Sequence, residues 1–290
     1  MRNILSPLLV LLAFSQIFCQ KAPVNPTSTK PPFVLGVIDE IDSKLLAEKR
    51  ILNIYLPEGY KENGKEKYPV IYLLDGGADE DFIHVAGIVQ FNNFSWIDRV
   101  PRSIIVGIAN TDRKRDFTYP STIAEDKKLV PGSGKSSNFI NFLETELQPY
   151  IAKNYRAGKD KTLIGQSLGG LLATEILLKR PQLFDKYIII SPSLWWDNAS
   201  LFDIKSPLFE AKFDKQTDVY IGVGDEGFAP VTTTHNMQAE ATTLFDKLSQ
   251  NESGHVKVYY DYLPQEDHAT ISHQAIFNAF RMLYPQNTKK

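Results

Sequence analysis

The residues that could do chemistry centre on one serine. Residues 162–170 read TLIGQSLGG and contain a Gly-x-Ser-x-Gly motif around Ser167. A serine hydroxyl is a weak nucleophile until a sharp turn projects it beside a general base and beside donors for an oxyanion. Gly165 and Gly169 lack side chains and would let the backbone make that turn. Because a strand-like stretch precedes the motif and a helical pattern follows it, we predict a nucleophile elbow at Ser167. An ordinary glycine-rich strand–helix turn is the alternative.

A general base is expected further along the chain, because hydrolases built on such an elbow carry serine, acid and histidine in that order. Of the five histidines, His268 lies in a short loop after an apolar strand-like run that ends near Leu263. We therefore predict His268 as the base, with a surface histidine among acidic neighbours as the alternative. The other four fall in helix or strand patterns and are predicted to be structural: His84, His235, His255 and His273.

The acid is expected in the loop after the preceding strand, where residues 224–227 read GDEG and offer two carboxylates. We prefer Asp225 and keep Glu226 as the alternative, because a one-residue shift in the end of the strand would exchange them. The carboxylate would accept a hydrogen bond from Nδ1 of the imidazole, fix its tautomer and stabilise the imidazolium that forms when the serine loses its proton.

Two backbone donors are needed for the oxyanion. The first is predicted to be the N–H of Leu168, which directly follows the serine. The second is expected in the loop after an earlier central strand, where Gly76 and Gly77 would let the backbone approach a substrate closely. In the alternative interpretation these two glycines only make a turn.

Strand and helix signals alternate along the chain and would place these groups on loops. Apolar, β-branched runs predict eight strands, and apolar residues at helical spacing predict four helices. This alternation favours an α/β fold with a mostly parallel central sheet, helices on both faces and functional groups at the carboxyl ends of the strands. The predicted strands are residues 33–39, 50–56, 70–74, 103–109, 162–165, 187–191, 219–223 and 255–263. The predicted helices are residues 138–153, 168–180, 233–249 and 272–283.

Length and composition favour one domain and disfavour some partners. With 290 residues, 43% of them hydrophobic, the chain can bury a full core, and we predict a single domain over residues 33–290. A formal net charge of −2 and an isoelectric point near 6.2 provide no basic field for a phosphate backbone, which argues against a nucleic-acid partner. No metal-ligand spacing such as His-Glu-x-x-His occurs, so we predict neither a metal nor another cofactor. Nothing in the sequence indicates the oligomeric state.

The N-terminus has the pattern of a targeting segment. Arg2 precedes a mostly apolar stretch over residues 4–18, which predicts a signal peptide over residues 1–19 and is short for a membrane span. Residues 20–32, rich in Pro, Thr and Lys, are predicted to be a flexible leader. Cys19 is the only cysteine, and a mature chain without thiols suits an exported protein, periplasmic or secreted. Lipid anchoring at Cys19 is the alternative.

Two features could shape a binding site around the serine. Residues 111–135 are too polar and too long for a tight connection, so we expect them to cap or border the site. This stretch has slightly more positively than negatively charged residues, which would favour an anionic substrate, although a solvated loop also explains the charges. Trp195 and Trp196 follow a predicted strand and could wall an acyl or aromatic group, with a packed loop as the alternative.

Five segments in the same order along the chain are similar to those of a known family. They are RILNIYLP at residues 50–57, YPVIYLLDG at 68–76, VGIANTDR at 106–113, FLETELQPYI at 142–151 and SPSLWW at 191–196. Together with the serine motif they resemble the Putative esterase family of the α/β-hydrolase superfamily. That group includes S-formylglutathione hydrolases, feruloyl and acetyl-xylan esterases, esterases of iron-siderophore trilactones, and mycolyltransferases.

This resemblance implies an α/β-hydrolase fold with catalytic Ser167 and His268, while the acid is less uniform in the family. It also implies acyl transfer from a small-molecule, saccharide or siderophore ester through a covalent intermediate. The sequence departs from many relatives in having Ala269 after the histidine instead of glycine. An acyltransferase with the same residues, or a binding protein that kept only the fold, are the alternative functions.

Overall fold

The computed structural model describes residues 30–227, 235–251 and 253–286. The chain divides into two units, Met1–Val34 and Leu35–Lys290. The sequence predicts a domain that starts at residue 33, and the larger unit starts at Leu35. The predicted signal peptide and most of the predicted leader lie outside the described residues and stay predictions. Among the residues with described positions, no helix is both long and apolar enough to cross a membrane.

The central element is an eight-stranded sheet with strand order β1-β2-β4-β3-β5-β6-β7-β8. The pairs β1/β2 and β2/β4 are antiparallel and all the others are parallel. The strands are β1 Val37–Ser43, β2 Glu48–Tyr55, β3 Tyr68–Leu73, β4 Ile104–Ile108, β5 Ala157–Gln166, β6 Lys186–Ile190, β7 Thr217–Gly224 and β8 Val256–Leu263. The parallel strands therefore end at one edge of the sheet, where the predicted site residues follow β3, β5, β6, β7 and β8.

Helices cover both faces of the sheet. The helices are α1 Phe82–Asn92, α2 Arg113–Phe117, α3 Ala124–Leu129, α4 Ser136–Phe142, α5 Gln148–Asn154, α6 Leu168–Lys179, a short α7 Trp196–Ala199, α8 Met237–Ser249 and α9 Ile271–Leu283. A π-helical turn, Leu143–Leu147, joins α4 to α5 without a break. Three 3₁₀ turns complete the described elements: Pro181–Leu183, Ser200–Asp203 and Pro207–Phe209.

Alternate residues of the central strands enter two separate cores. Tyr187 and Ile189 of β6 pack with α6 and α8 on one face, whereas Ile188 and Ile190 pack with α1 and α9 on the other. Side chains of a strand alternate between faces, so a strand that is apolar at every position must be covered on both sides. This is why the short apolar runs of the sequence become interior parallel strands.

The predicted α/β fold, with a mostly parallel sheet and helices on both faces, is confirmed. Six of the eight predicted strands match the observed ones closely. Strand β5 begins at Ala157, earlier than the predicted residue 162, because it already pairs with Tyr68 of β3 there. The first strand lies later than predicted, at Val37–Ser43, because its pairing with β2 runs through Ser43. The predicted helix over residues 138–153 is the continuous run from α4 to α5. Four short or weakly periodic helices are not among the predicted ones: α1, α2, α3 and α7, which lie in the connections after β3, β4 and β6.

Candidate active site

Ser167 lies at the turn between β5 and α6 in a strained conformation. Its φ of 58° and ψ of −119° fall outside the regions that residues with a side chain normally occupy. The backbone around it is held on both sides: its N–H donates to the carbonyl of Ile190 at 3.0 Å, and its carbonyl accepts from the N–H of Ser193 at 3.0 Å and of Leu171 at 2.9 Å. The strained turn projects the hydroxyl from the carboxyl edge of the sheet.

Gly165 permits this turn because the backbone passes through the space that a side chain would fill. A Cβ atom at Gly165 would lie 2.4 Å from the carbonyl oxygen of Gly169, a distance that real Cβ atoms do not reach. The end of β5 and the first turn of α6 can therefore pack this closely only if residue 165 is glycine.

His268 lies in the loop between β8 and α9, and its Nε2 is 3.0 Å from Oγ of Ser167. The side chain is 46% exposed, so the two groups meet where solvent can reach them. Asp267 shapes the loop, because its Oδ1 accepts from the N–H of Ala269 at 2.8 Å and of Thr270 at 3.0 Å. These backbone donors lower the pKa of Asp267. The structure thus brings together the predicted nucleophile and the predicted base.

The carboxylate that contacts the base belongs to Glu226, the alternative acid, and not to the preferred Asp225. Oε2 of Glu226 is 2.6 Å from Nδ1 of His268, and the Glu226 side chain is only 2% exposed. Strand β7 continues to Gly224, so Asp225 is the first residue beyond it and is exposed. Its backbone N–H donates to the carbonyl of Glu266 at 2.8 Å, which ties the acid loop to the histidine loop.

The environment of Glu226 keeps its carboxylate ionised. Burial by itself raises the pKa of this group, but hydrogen bonds from His268 and then from Ser191 outweigh burial and lower the pKa. The Ser191 hydroxyl donates to Oε1, and the N–H of Gly224 donates to the same oxygen at 3.2 Å. Ser191 itself has a positive φ of 41°. An ionised acid in this position selects the imidazole tautomer with hydrogen on Nδ1 and a free lone pair on Nε2.

The predicted oxyanion donors have different surroundings. Leu168 begins α6, so its N–H belongs to the first turn, where the helix supplies no acceptor. The N–H of Gly76 instead donates to the carbonyl of Ile108 at 3.0 Å, and a Cβ atom there would lie 2.4 Å from Cα of Gly107. Gly76 is thus required for close packing of two strand ends, which corrects its predicted role as a donor.

The backbone N–H of Gly77 already donates a hydrogen bond to a carboxylate, that of Glu80. This N–H donates to Oε2 of Glu80 at 2.7 Å, while Oε1 of Glu80 accepts from the side chain of Asn110 at 2.7 Å. The amide of Gly77 can receive an oxyanion only when the Glu80 side chain releases it.

A pocket of about 290 Å³ opens beside Ser167 and His268. Its walls are largely apolar and come from the end of α3, the start of α6, the loop after β6 and the start of α8: Leu129, Val130, Leu168, Trp195 and Met237. The polar residues that line it besides Ser167 are Arg113, Ser193, Glu226 and His268. The stretch 111–135 therefore borders the site, as the sequence analysis expects, through Arg113 and the end of α3.

The two adjacent tryptophans have different positions. Trp195 lines the pocket, whereas Trp196 is 0% exposed and its Nε1 donates to the carbonyl of Tyr119 at 2.8 Å. Trp196 thus packs in the core and cannot contact a substrate in this pocket, which corrects the prediction that both tryptophans line the site.

Three groups that the sequence analysis did not select support the elbow. Ser193 places its hydroxyl 3.4 Å from Oγ of Ser167. Arg113 binds Asp75 through Nε at 2.6 Å and Nη2 at 2.8 Å. Burial lowers the pKa of Arg113, but Asp75 outweighs it and raises the pKa, so the guanidinium remains charged. Gln166 contacts the histidine loop. Each of these residues lies inside the serine motif or inside a segment that resembles the family, and that position was the only feature of the sequence that pointed to them.

Within residues 30–227, 235–251 and 253–286, no group of three or more His, Cys, Asp or Glu side chains is arranged to hold a metal ion.

Comparison with known proteins identifies the family. A family model described as "Putative esterase" matches residues 43–279. The ferri-bacillibactin esterase BesA of Bacillus subtilis (strain 168) is 25% identical over 263 residues, which cover 82% of this chain and 86% of the relative.

Two solved structures share the architecture. An IroE-like serine hydrolase from Shewanella oneidensis is 31% identical with a TM-score of 0.76, over 86% of this chain and 80% of that one. The BES protein from Bacillus cereus is 28% identical with a TM-score of 0.76, over 89% of this chain and 99% of that one.

The mostly parallel sheet and the elbow after its central strand define an α/β-hydrolase. The chain belongs to the Putative esterase family and is a carboxylic-ester hydrolase.

Proposed function

We propose that the chain hydrolyses its ester substrate through an acyl-enzyme, with Ser167 as nucleophile, His268 as general base and Glu226 as the acid. The observation that carries this proposal is the continuous chain of contacts from Oγ of Ser167 to Nε2 of His268, at 3.0 Å, and from Nδ1 to Oε2 of Glu226, at 2.6 Å. Nucleophile, base and orienting acid in such a series are the parts that serine hydrolysis needs.

The first step forms the acyl-enzyme. Nε2 of His268 takes the proton of the Ser167 hydroxyl while the oxygen attacks the ester carbonyl, and the carbonyl oxygen becomes an oxyanion. We assign the N–H of Leu168 as a donor to that oxyanion. As the tetrahedral intermediate collapses, the imidazolium gives its proton to the oxygen of the leaving alcohol, and the acyl group stays on Ser167.

The second step returns the enzyme to its starting state. A water molecule loses its proton to the same imidazole and attacks the acyl carbonyl, and the imidazolium then protonates Oγ of Ser167 as the carboxylic acid leaves. Throughout both steps the buried carboxylate of Glu226 offsets the positive charge of the imidazolium. Because the Glu226 side chain is almost fully buried, water does not replace it in that role.

The substrate class is proposed from the pocket and from the relatives. A pocket of about 290 Å³ with mostly apolar walls suits a small acyl group, and the charged Arg113 lies at its side. A relative is named a ferri-bacillibactin esterase. We therefore propose a small-molecule ester of the siderophore type as the substrate, with saccharide esters as the alternative class.

A turnover screen tests this proposal. The mature protein is assayed on p-nitrophenyl esters of increasing acyl length, feruloylated and acetylated sugars, and siderophore trilactones, with the Ser167→Ala variant as the blank. We expect the wild-type protein to hydrolyse short esters and a trilactone, and the Ser167→Ala variant to hydrolyse neither. Turnover confined to thioesters, or acyl transfer to an added sugar that exceeds hydrolysis, would contradict the proposal.

A further inference from the structure

We propose that Gln166 is a positioning residue that holds the histidine loop against the nucleophile elbow; this inference rests on the proposed function. Gln166 ends β5 directly before Ser167. Its Nε2 donates to the backbone carbonyl of His268 at 2.5 Å, and its Oε1 accepts from the hydroxyl of Ser272 in α9. One side chain thus connects the residue beside the nucleophile to the base itself and to the helix that follows the base.

The histidine loop needs such a connection because burial does little to hold it. Residues 267–270 are exposed, and His268 is nearly half exposed. An exposed loop is held by its hydrogen bonds more than by packing. The bonds from Asp225 and Glu226 reach the loop from the side of β7, and the bonds of Gln166 reach it from the side of the serine. The separation of Oγ and Nε2 is therefore set from both sides.

The main chain of Gln166 is itself fixed. Its carbonyl accepts from Nη2 of Arg113 at 3.2 Å, and Arg113 is held by two bonds to Asp75 in the loop after β3. The side chain therefore starts from a defined point, and its reach to the histidine loop is constrained. Ser272 is 6% exposed, so water competes little for its bond to Gln166.

The chemistry of the two contacts requires an amide. The carbonyl of His268 needs a donor, and the hydroxyl of Ser272 donates to an acceptor, so the side chain must supply both at once. Glutamine does so, whereas an ionised glutamate has acceptors only. Gln166→Glu therefore keeps the size and the contact with Ser272 but turns a carboxylate oxygen toward the carbonyl of His268.

The test compares this variant with Gln166→Met, Ser272→Ala and a matched control, Gln274→Met, which changes an exposed glutamine on α9. For each, kcat per fluorophosphonate-titrated site and KM are measured on p-nitrophenyl acetate, with hydrogen exchange over residues 264–272. We expect Gln166→Glu and Gln166→Met to lower kcat about tenfold to a hundredfold with KM within about twofold, because a displaced base costs rate more than binding. Ser272→Ala should lower kcat by about threefold or less, and Gln274→Met should change neither constant.

The exchange data separate failure of this inference from failure of the proposed function. We expect faster exchange over residues 264–272 in both Gln166 variants and not in Gln274→Met. Unchanged exchange would overturn the inference even if the wild-type protein hydrolyses no ester. Faster exchange with an unchanged kcat per titrated site would show that Gln166 stabilises the loop without affecting catalysis, and this result would also overturn the inference. Absence of wild-type turnover and labelling would count against the proposed function alone.

Discussion

Replacing Glu226 with glutamine removes the charge that contacts the base and leaves the size of the side chain unchanged. The amide can still accept from the Ser191 hydroxyl and from the N–H of Gly224 through Oε1. Its remaining group, however, is an N–H that faces Nδ1 of His268. That donor favours the tautomer with hydrogen on Nε2, which then points at Ser167 and cannot take its proton.

The size of the effect follows from the burial of the contact. The Glu226 side chain is 2% exposed, so water does not take over its 2.6 Å contact. In a serine protease with a Ser-His-Asp triad, the corresponding acid-to-amide change lowers kcat about 10⁴-fold. The half-exposed imidazole here leaves His268 some freedom to exchange tautomers, so we expect a loss of about 10³- to 10⁴-fold. At about 1.4 kcal/mol for each factor of ten, this is about 4 to 5.5 kcal/mol of transition-state stabilisation.

The assay measures kcat and kcat/KM on p-nitrophenyl acetate for Glu226→Gln beside Asp225→Asn, which makes the same chemical change one residue earlier. Asp225 is exposed, so its variant should stay within about twofold of the wild type. Near-ultraviolet circular dichroism and thermal unfolding check that both variants fold. A large loss in Asp225→Asn would contradict the assignment of Glu226 as the acid. A loss of less than tenfold in Glu226→Gln would also contradict it, because the serine and histidine would then act without a third member.

Gly165→Ala should lower the free energy of unfolding in urea by about 3 kcal/mol, because the added Cβ would lie 2.4 Å from a backbone oxygen. Gly87→Ala is the control: its position in α1 has open space, so the alanine should raise the free energy of unfolding by up to ~1 kcal/mol. Trp196→Phe should cost about 1–3 kcal/mol, because it leaves the buried Tyr119 carbonyl without its donor; an unchanged urea midpoint would contradict that. Trp195→Phe should instead change the preference between acetyl and longer acyl esters, measured as a ratio of kcat/KM, with little effect on stability. Because the pKa of folded Glu226 lies below its ordinary value of 4.5, the stability that its charge provides is fully present above pH 4.5 and is lost as the pH falls through the lower folded pKa. Glu226→Gln should therefore flatten this acidic part of the curve of stability against pH.

The elements of the fold were predictable because burial on both faces demands continuous apolar runs. Strands such as β6 and β7 carry that pattern over nearly their whole length. Helix α1 was missed because its sequence, FIHVAGIVQFN, is apolar on most sides and gives weak helical periodicity. The first predicted strand was placed too early, because its true position is set by the hairpin that it forms with β2, in which Ser43 pairs with Glu48.

The nucleophile and the base of the site were predictable, because the order of strands and motifs along the chain determines where they lie. Ser167 follows β5 and His268 follows β8, so topology brings them to one edge of the sheet. Asp225 and Glu226 are adjacent, and only the end of β7 at Gly224 decides which carboxylate turns inward. The role of Gly76 also depends on three-dimensional packing, because the backbone of Gly107 comes close to it from β4.

The proposed mechanism requires the hydroxyl of Ser167 to be the nucleophile, and a fluorophosphonate reveals the nucleophile by the residue that it modifies. The mature protein is labelled, digested and analysed by mass spectrometry, with Ser167→Ala and Ser193→Ala treated in parallel. We expect a single adduct on Ser167 that Ser167→Ala abolishes and Ser193→Ala retains. An adduct on Ser193, whose hydroxyl lies 3.4 Å away, or labelling that persists in Ser167→Ala, would contradict the account.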